Sequence, residues 1–207
     1  MTQTMEFGPL VVTFDGRVLR PRPWTLLQAS WVAELDPDLP PGPVLELCSG
    51  AGQIGLAAAV LTGRDLVQVD VDPHACRLAT ANADANVAGS RVEIRCGELD
   101  VVVRRDERFA VVLADPPYLR RADVGAWPQD PPCAIDGGQD GLDLHRRCIA
   151  VAGAHVAPDG VVLLQTLGAA QVDALADDVA RAGLTVLEVR AEDDERAVAL
   201  LRAARVP

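Results

Sequence analysis

The sequence predicts an α/β domain built on one open, mostly parallel sheet of about seven strands, with helices on both faces. Three observations carry this. Short aliphatic runs alternate with helix-length segments of 3.6-residue periodicity. A glycine turn, Ser49-Gly50-Ala51-Gly52-Gln53, joins one apolar strand to an apolar helix. Three successive strands end in acids, Asp70, Glu98 and Asp115.

In order, Val11–Phe14 and Arg17–Leu19 read as a hairpin around the turn signal Asp15-Gly16, and Thr25 to Leu35 reads as a helix. With the proline-rich joint that follows, residues 1–39 form an N-terminal flap and residues 40–207 the main domain. Val44–Cys48 is a strand, Ile54–Leu61 an apolar helix, and Leu66–Asp70 the next strand. Pro73 to Val87 reads as a helix with proline in its first turn. Arg91–Arg95 and Ala110–Ala114 are strands, the second ending at Asp115-Pro116-Pro117-Tyr118.

Past a charged loop, a helix is expected from about Gly141 to Val156, then a Pro158-Asp159-Gly160 turn and the strand Val161–Gln165. Ala169 to Ala182 is one Ala-rich helix closed by Gly183. Leu184–Val189 and Arg196–Leu201 are joined by a link too short for a crossover helix, so the last strand runs antiparallel, as a reversed edge.

The 207 residues suit one full domain, and 49% hydrophobic content suffices for its core. A net charge of −11 argues against a long polyphosphate partner, and with 3 Phe, 3 Trp and 1 Tyr a run of base-stacking platforms is not expected. The 5 cysteines form no C-x-x-C pair and read as reduced and mostly buried. No signal-peptide layout and no membrane-length apolar run is seen, so a cytoplasmic location with no membrane partner is expected. His74, His145 and His155 lack metal spacing, so no metal is expected.

Ligands of open parallel sheets bind beyond the carboxyl ends of the strands, which sets Asp70, Glu98 and Asp115 on one rim with the glycine turn. Gly50-x-Gly52-x-x-Gly55 formally matches a dinucleotide fingerprint. Glu46 in the preceding strand points elsewhere, because a carboxylate there repels phosphate and attracts a cation such as a sulfonium.

Glu46-Leu47-Cys48-Ser49-Gly50-Ala51-Gly52, Asp70 and Asp115-Pro116-Pro117-Tyr118 resemble the motifs of class I S-adenosylmethionine-dependent methyltransferases, which have a Rossmann-like fold. Pro21-Arg22-Pro23, Ala134 to Asp143 with His145-Arg146-Arg147, and Asp194 to Val198 are similar to segments of the HemK-type release-factor glutamine methyltransferases. The resemblance implies S-adenosylmethionine as cofactor, set against Glu46, Cys48, Ser49, Gly50, Gly52, Gln53, Asp70, Val71, Glu98, Leu99 and Asp115. Asp70 would take the ribose hydroxyls, and Glu98 and Leu99 would flank the adenine.

Asp115, Pro116 and Tyr118 would hold the acceptor nitrogen for in-line methyl transfer, a reaction needing no metal and no covalent nucleophile. The implied acceptor is a protein glutamine, on a release factor or ribosomal protein, or a similar planar nitrogen. A nucleobase amine, a small molecule, and cofactor binding without turnover are the alternatives. The family has Asn where Asp115 stands, and its N-terminal helical domain is absent or reduced to residues 1–39. Trp24 is either a staple of the flap or a wall of the substrate pocket.

Overall fold

The computed structural model describes residues 1–204; the end of the expected 40–207 domain, residues 205–207, lies outside the described residues. Strands β1 (Gln3–Phe7) and β2 (Leu10–Phe14) form a hairpin, followed by helix α1 (Leu26–Leu35). Then come β3 (Val44–Leu47), α2 (Gln53–Thr62), β4 (Leu66–Asp70), α3 (Pro73–Asn86), β5 (Val92–Cys96), the single turn α4 (Leu99–Val102) and β6 (Phe109–Ala114). The last part holds α5 (Asp143–His155), β7 (Val156–Thr166), α6 (Gly168–Ala174), α7 (Ala176–Arg181), β8 (Leu184–Asp193) and β9 (Arg196–Ala203).

The main sheet has seven strands in the order β5-β4-β3-β6-β7-β9-β8. Its direction of winding reverses between β3 and β6, parallel neighbours whose residues are buried throughout. Such a switch point opens a crevice at the strands' carboxyl ends. Side chains alternate between two cores: Val44, Val111 and Leu113 face α1, α2 and α3, while Leu45, Leu47 and Val112 face α5 and α7. Phe7, Val12, Trp31 and Val32 join the first of these cores, so residues 1–39 pack against the sheet's own helices.

Four expectations about the secondary-structure elements need correction. The hairpin turns at Gly8-Pro9, with Phe7 opposite Leu10, because Gly8 supplies the positive φ (56°) at the first turn position. Asp15-Gly16 does turn the chain, but Asp15 Oδ1 accepts from the Arg17 backbone N–H at 3.0 Å and no strand follows.

Pro158-Asp159-Gly160 lies inside β7: from Phe109↔Val156 to Val111↔Val161, β7 advances five residues while β6 advances two. That bulge absorbs the positive φ of Asp159. The expected Ala-rich helix breaks at Leu175, whose N–H is shared between the carbonyls of Gln171 and Val172, and the tighter turn keeps Val172, Leu175 and Val179 all buried.

The reversed strand is β9, but it lies between β7 and β8, leaving β8 as the edge. Ala197–Leu201 is buried on both faces, whereas β8 exposes Leu187, so the more apolar strand takes the inner place.

The cysteines are all free, with Cys96 and Cys133 exposed rather than buried. Among the described residues no helix is long and apolar enough to cross a membrane.

Candidate active site

Beyond the ends of β3, β4 and β6 the chain makes two cavities, of about 240 and about 300 Å³. The first is lined by Cys48, Ser49, Gly50, Gln53, Asp70, Val71, Glu98, Leu99 and Asp115, which are nine of the expected cofactor residues. The second is lined by Asp115, Pro116 and Tyr118 together with Arg22, Trp24, Trp127, Asp130 and Leu167. Asp115, Leu19 and Ala134 belong to both walls.

Local geometry fixes the floor of the first cavity. Gly50 and Gly52 have φ of 54° and 85°, which lets the chain leave β3 and enter α2 within a few residues. The Gly50 N–H donates to Asp70 Oδ2 at 2.8 Å and the Asp72 N–H to Asp70 Oδ1 at 2.9 Å, so the acid at the tip of β4 braces two loops. Burial pushes the Asp70 carboxyl up, and those N–H groups oppose the shift. Asp72 in turn caps α3 by accepting from the His74 N–H at 2.8 Å, next to Pro73 in the first turn.

Glu46 and Gly52 lie beneath this wall. Glu46 is 2% exposed, accepts from Gln68 Nε2 and the Gly55 N–H, and is pushed up to about 8 by burial. Burial favours its neutral form, a cation at the turn would favour its charged one, and in either state it holds the turn. A Cβ on Gly55 would stand 2.5 Å from Glu46 Oε2, which accounts for the third glycine of the turn without any phosphate.

Two buried polar atoms at the first cavity, Ser49 Oγ and Gln53 Oε1, have no partner among the described residues. Their chemistry fits the ammonium and hydroxyl groups of S-adenosylmethionine. Glu98 turns its carboxylate to Arg147 Nη2 at 2.7 Å, leaving Leu99 and the exposed Val71 as apolar flanks. Cys48, at φ 59°, has its Sγ 3.8 Å from that of Cys148, and this contact together with burial pushes its thiol up.

Asp115 has no hydrogen-bond partner among the described residues, and burial alone pushes its carboxyl up to about 7. Its remaining exposure is toward the cavities it lines. Burial also raises the Tyr118 hydroxyl.

The glycines downstream explain why Asp136 to Gly141 matters to this motif: a Cβ on Gly137 would meet the Pro117 carbonyl at 2.8 Å, and one on Gly141 the Tyr118 carbonyl at 2.6 Å. That segment is the backing against which Asp115-Pro116-Pro117-Tyr118 is laid.

Sequence reading missed several residues here. Arg22 Nη2 donates to Asp130 Oδ2 at 2.6 Å across 108 residues, joining the N-terminal stretch to the loop after β6. Gln171 donates to the Tyr118 carbonyl at 2.9 Å and accepts from the Leu167 N–H at 2.8 Å. Trp127 stands 42% exposed at the second cavity. Neither Asp130 nor Gln171 carries a local signal, since only folding brings them to the motif. Trp24, left open by the sequence, is a wall of the second cavity.

The seven-stranded topology and a cavity built on the β3 turn and the tip of β4 are those of the class I methyltransferase fold, whose enzymes use S-adenosylmethionine. Residues 30–126 match the family model described as "Methyltransferase small domain", and most of the chain is distantly homologous to glutamine methyltransferases. It is 28% identical over 197 residues to a release factor glutamine methyltransferase of Clostridium acetobutylicum, covering 92% of this chain and 69% of that one. It is 34% identical over 126 residues to a ribosomal protein uL3 glutamine methyltransferase of Bordetella pertussis, covering 58% of this chain and 42% of that one. The solved structure of a ribosomal protein L11 methylase from Lactobacillus delbrueckii subsp. bulgaricus shares the fold, with TM-score 0.67 at 15% identity over 91% of this chain and 82% of that one.

Proposed function

We propose that the protein methylates a planar side-chain nitrogen of another protein, a glutamine amide above all, at Asp115-Pro116-Pro117-Tyr118. The observation that carries this is Asp115: it is the one charged side chain shared by the two cavities, and both its oxygens are without a partner among the described residues. A free acceptor at that junction suits an N–H donor arriving from the second cavity. The relatives named for release factors and uL3 supply the glutamine.

In this reading Ser49, Gly50 and Gln53 hold the amino-acid end of the cofactor, Asp70 its ribose, and Val71, Glu98 and Leu99 its adenine. Bound there, S-adenosylmethionine supplies an electrophilic methyl group. Asp115 and the Pro116 carbonyl accept hydrogen bonds from the acceptor NH₂, and Tyr118 packs on its plane. These contacts aim the nitrogen lone pair and draw it out of conjugation. A carboxyl poised near 7 also takes up the proton the nitrogen sheds. Residues 1–39 serve as the acceptor-side wall through Leu19, Arg22 and Trp24.

The test is incubation of the protein with methyl-labelled S-adenosylmethionine and fractionated protein, RNA and metabolite pools. Label on a protein glutamine, lost by about 100-fold or more in Asp115→Ala with cofactor binding retained, is the expected result. Label confined to RNA or metabolites sinks the reading.

A further inference from the structure

The acceptor cavity is acidic. Its wall carries four carboxylates, Asp115, Asp130, Asp193 and Glu195, against two guanidiniums, Arg22 and Arg196. Both arginines are committed to carboxylates of the same wall, Arg22 to Asp130 and Arg196 to Asp193. Among the described residues no cation is paired to Asp115 at the floor or to Glu195 at the exposed hairpin link. Trp127 offers an exposed ring in the same wall, whereas the Trp24 ring already faces the Arg196 guanidinium at 5.8 Å.

The surroundings do not reverse this balance. Of the arginines that could gather into a basic patch, Arg17 is paired with Asp15, Arg104 with Glu93, Arg120 with Asp123 and Arg121 with Asp136, while Arg20, laid over the Phe14 ring at 5.7 Å, is a single exposed cation on the flap side. Arg104 and Arg105 precede β6 and so lie at the opposite rim of the sheet. With a net charge of −11 the whole chain repels a phosphate backbone and attracts a basic chain.

We propose that the acceptor nitrogen is presented on a basic polypeptide segment, with a lysine or arginine next to the methylated residue held between the Glu195 carboxylate and the Trp127 ring. This rests on the protein-nitrogen reading above and names its substrate class. A cation over an indole face beside a carboxylate is favourable, more so as the cavity excludes water. An acidic segment meets the uncompensated Glu195 carboxylate at the rim.

The test uses fluorescein-labelled peptides of equal length with one central glutamine, flanked by lysines, by glutamates or by serines, and a labelled RNA hairpin. Anisotropy is measured with the intact protein in the presence of S-adenosylhomocysteine. The lysine peptide is expected to bind at least about tenfold tighter than the glutamate peptide and to weaken with salt. Glu195→Gln is expected to cost it about two- to fivefold and to flatten the salt dependence, and Trp127→Ala to weaken it at every salt concentration.

Equal binding of the three peptides, no binding of any, or tighter binding of the RNA overturns the inference. Labelled-methyl transfer on the same peptides separates the two claims. Glutamine methylation indifferent to flanking charge keeps the reading and removes this inference. Charge-selective binding with no methyl on glutamine keeps the docking surface and removes the glutamine.

Discussion

Gln171 Nε2 donates to the Tyr118 carbonyl at 2.9 Å while its Oε1 accepts from the Leu167 N–H at 2.8 Å, so one amide ties the start of α6 to the end of the Asp-Pro-Pro-Tyr turn. Leu167 and Tyr118 both line the second cavity. The bond spans 53 residues and fixes the backbone from which the Tyr118 ring projects. Gln171→Ala removes both contacts without touching the first cavity. Acceptor turnover is expected to fall about tenfold, consistent with loss of one or two positioning hydrogen bonds of ~1 kcal/mol each. S-adenosylhomocysteine affinity by calorimetry stays within twofold. A parallel loss of cofactor affinity would show that Gln171 supports the whole rim.

Asp115 predicts a pH signature that needs no acceptor. A sulfonium is positively charged and its demethylated thioether product is not, so ionised Asp115 favours the first over the second. The folded protein holds this carboxyl at about 7 because burial penalises its charge. Binding of the cation lowers that value and releases a proton, so by linkage the preference for S-adenosylmethionine over S-adenosylhomocysteine grows as pH rises from 6 to 8. A two- to tenfold growth is expected in the wild type. Asp115→Asn, which keeps an acceptor oxygen but cannot ionise, should lose most of that growth, what remains belonging to Glu46, held at about 8 beneath the glycine turn. A ratio that climbs as steeply in this variant places the titrating group elsewhere.

How far the sequence carried depended on the distance over which each feature is encoded. Asp70, Glu98 and Asp115 were legible because a strand and the residue at its tip are neighbours in the chain, and parallel order puts such tips on one rim. The glycine turn was legible for the same reason. Gln171 and Asp130 reach Tyr118 and Arg22 only through folding, and nothing in an Ala-rich helix or a charged loop marks them beforehand.

The hairpin was placed one turn late because Gly8-Pro9 and Asp15-Gly16 are both turn signals, and only pairing with β1 distinguishes them. The raised pKa of Glu46 was out of reach for another reason: residue type alone does not reveal burial, and burial under the turn is what shifts it.

That burial gives the last prediction. Glu46 is held at about 8 in the folded protein against an ordinary value of about 4.5. Between those values the native state binds the proton that the unfolded chain has released, so stability falls as pH rises from about 4.5 to about 8 and levels off above. Asp115 and Asp70, both raised, contribute with the same sign. Glu46→Gln keeps an oxygen to accept from the Gly55 N–H and Gln68 Nε2 but has nothing to ionise.

Urea unfolding at pH 5, 7 and 9 is therefore expected to show a shallower decline for Glu46→Gln than for the wild type. The gain at pH 9 should be on the order of 2–3 kcal/mol, and the two proteins should nearly coincide at pH 5. Equal slopes for both would mean that Gln68 and the Gly55 N–H stabilise the carboxylate enough to offset its burial. The glycine turn would then stand over a charge after all, and the electrostatic attraction for a cationic cofactor would be restored to Glu46.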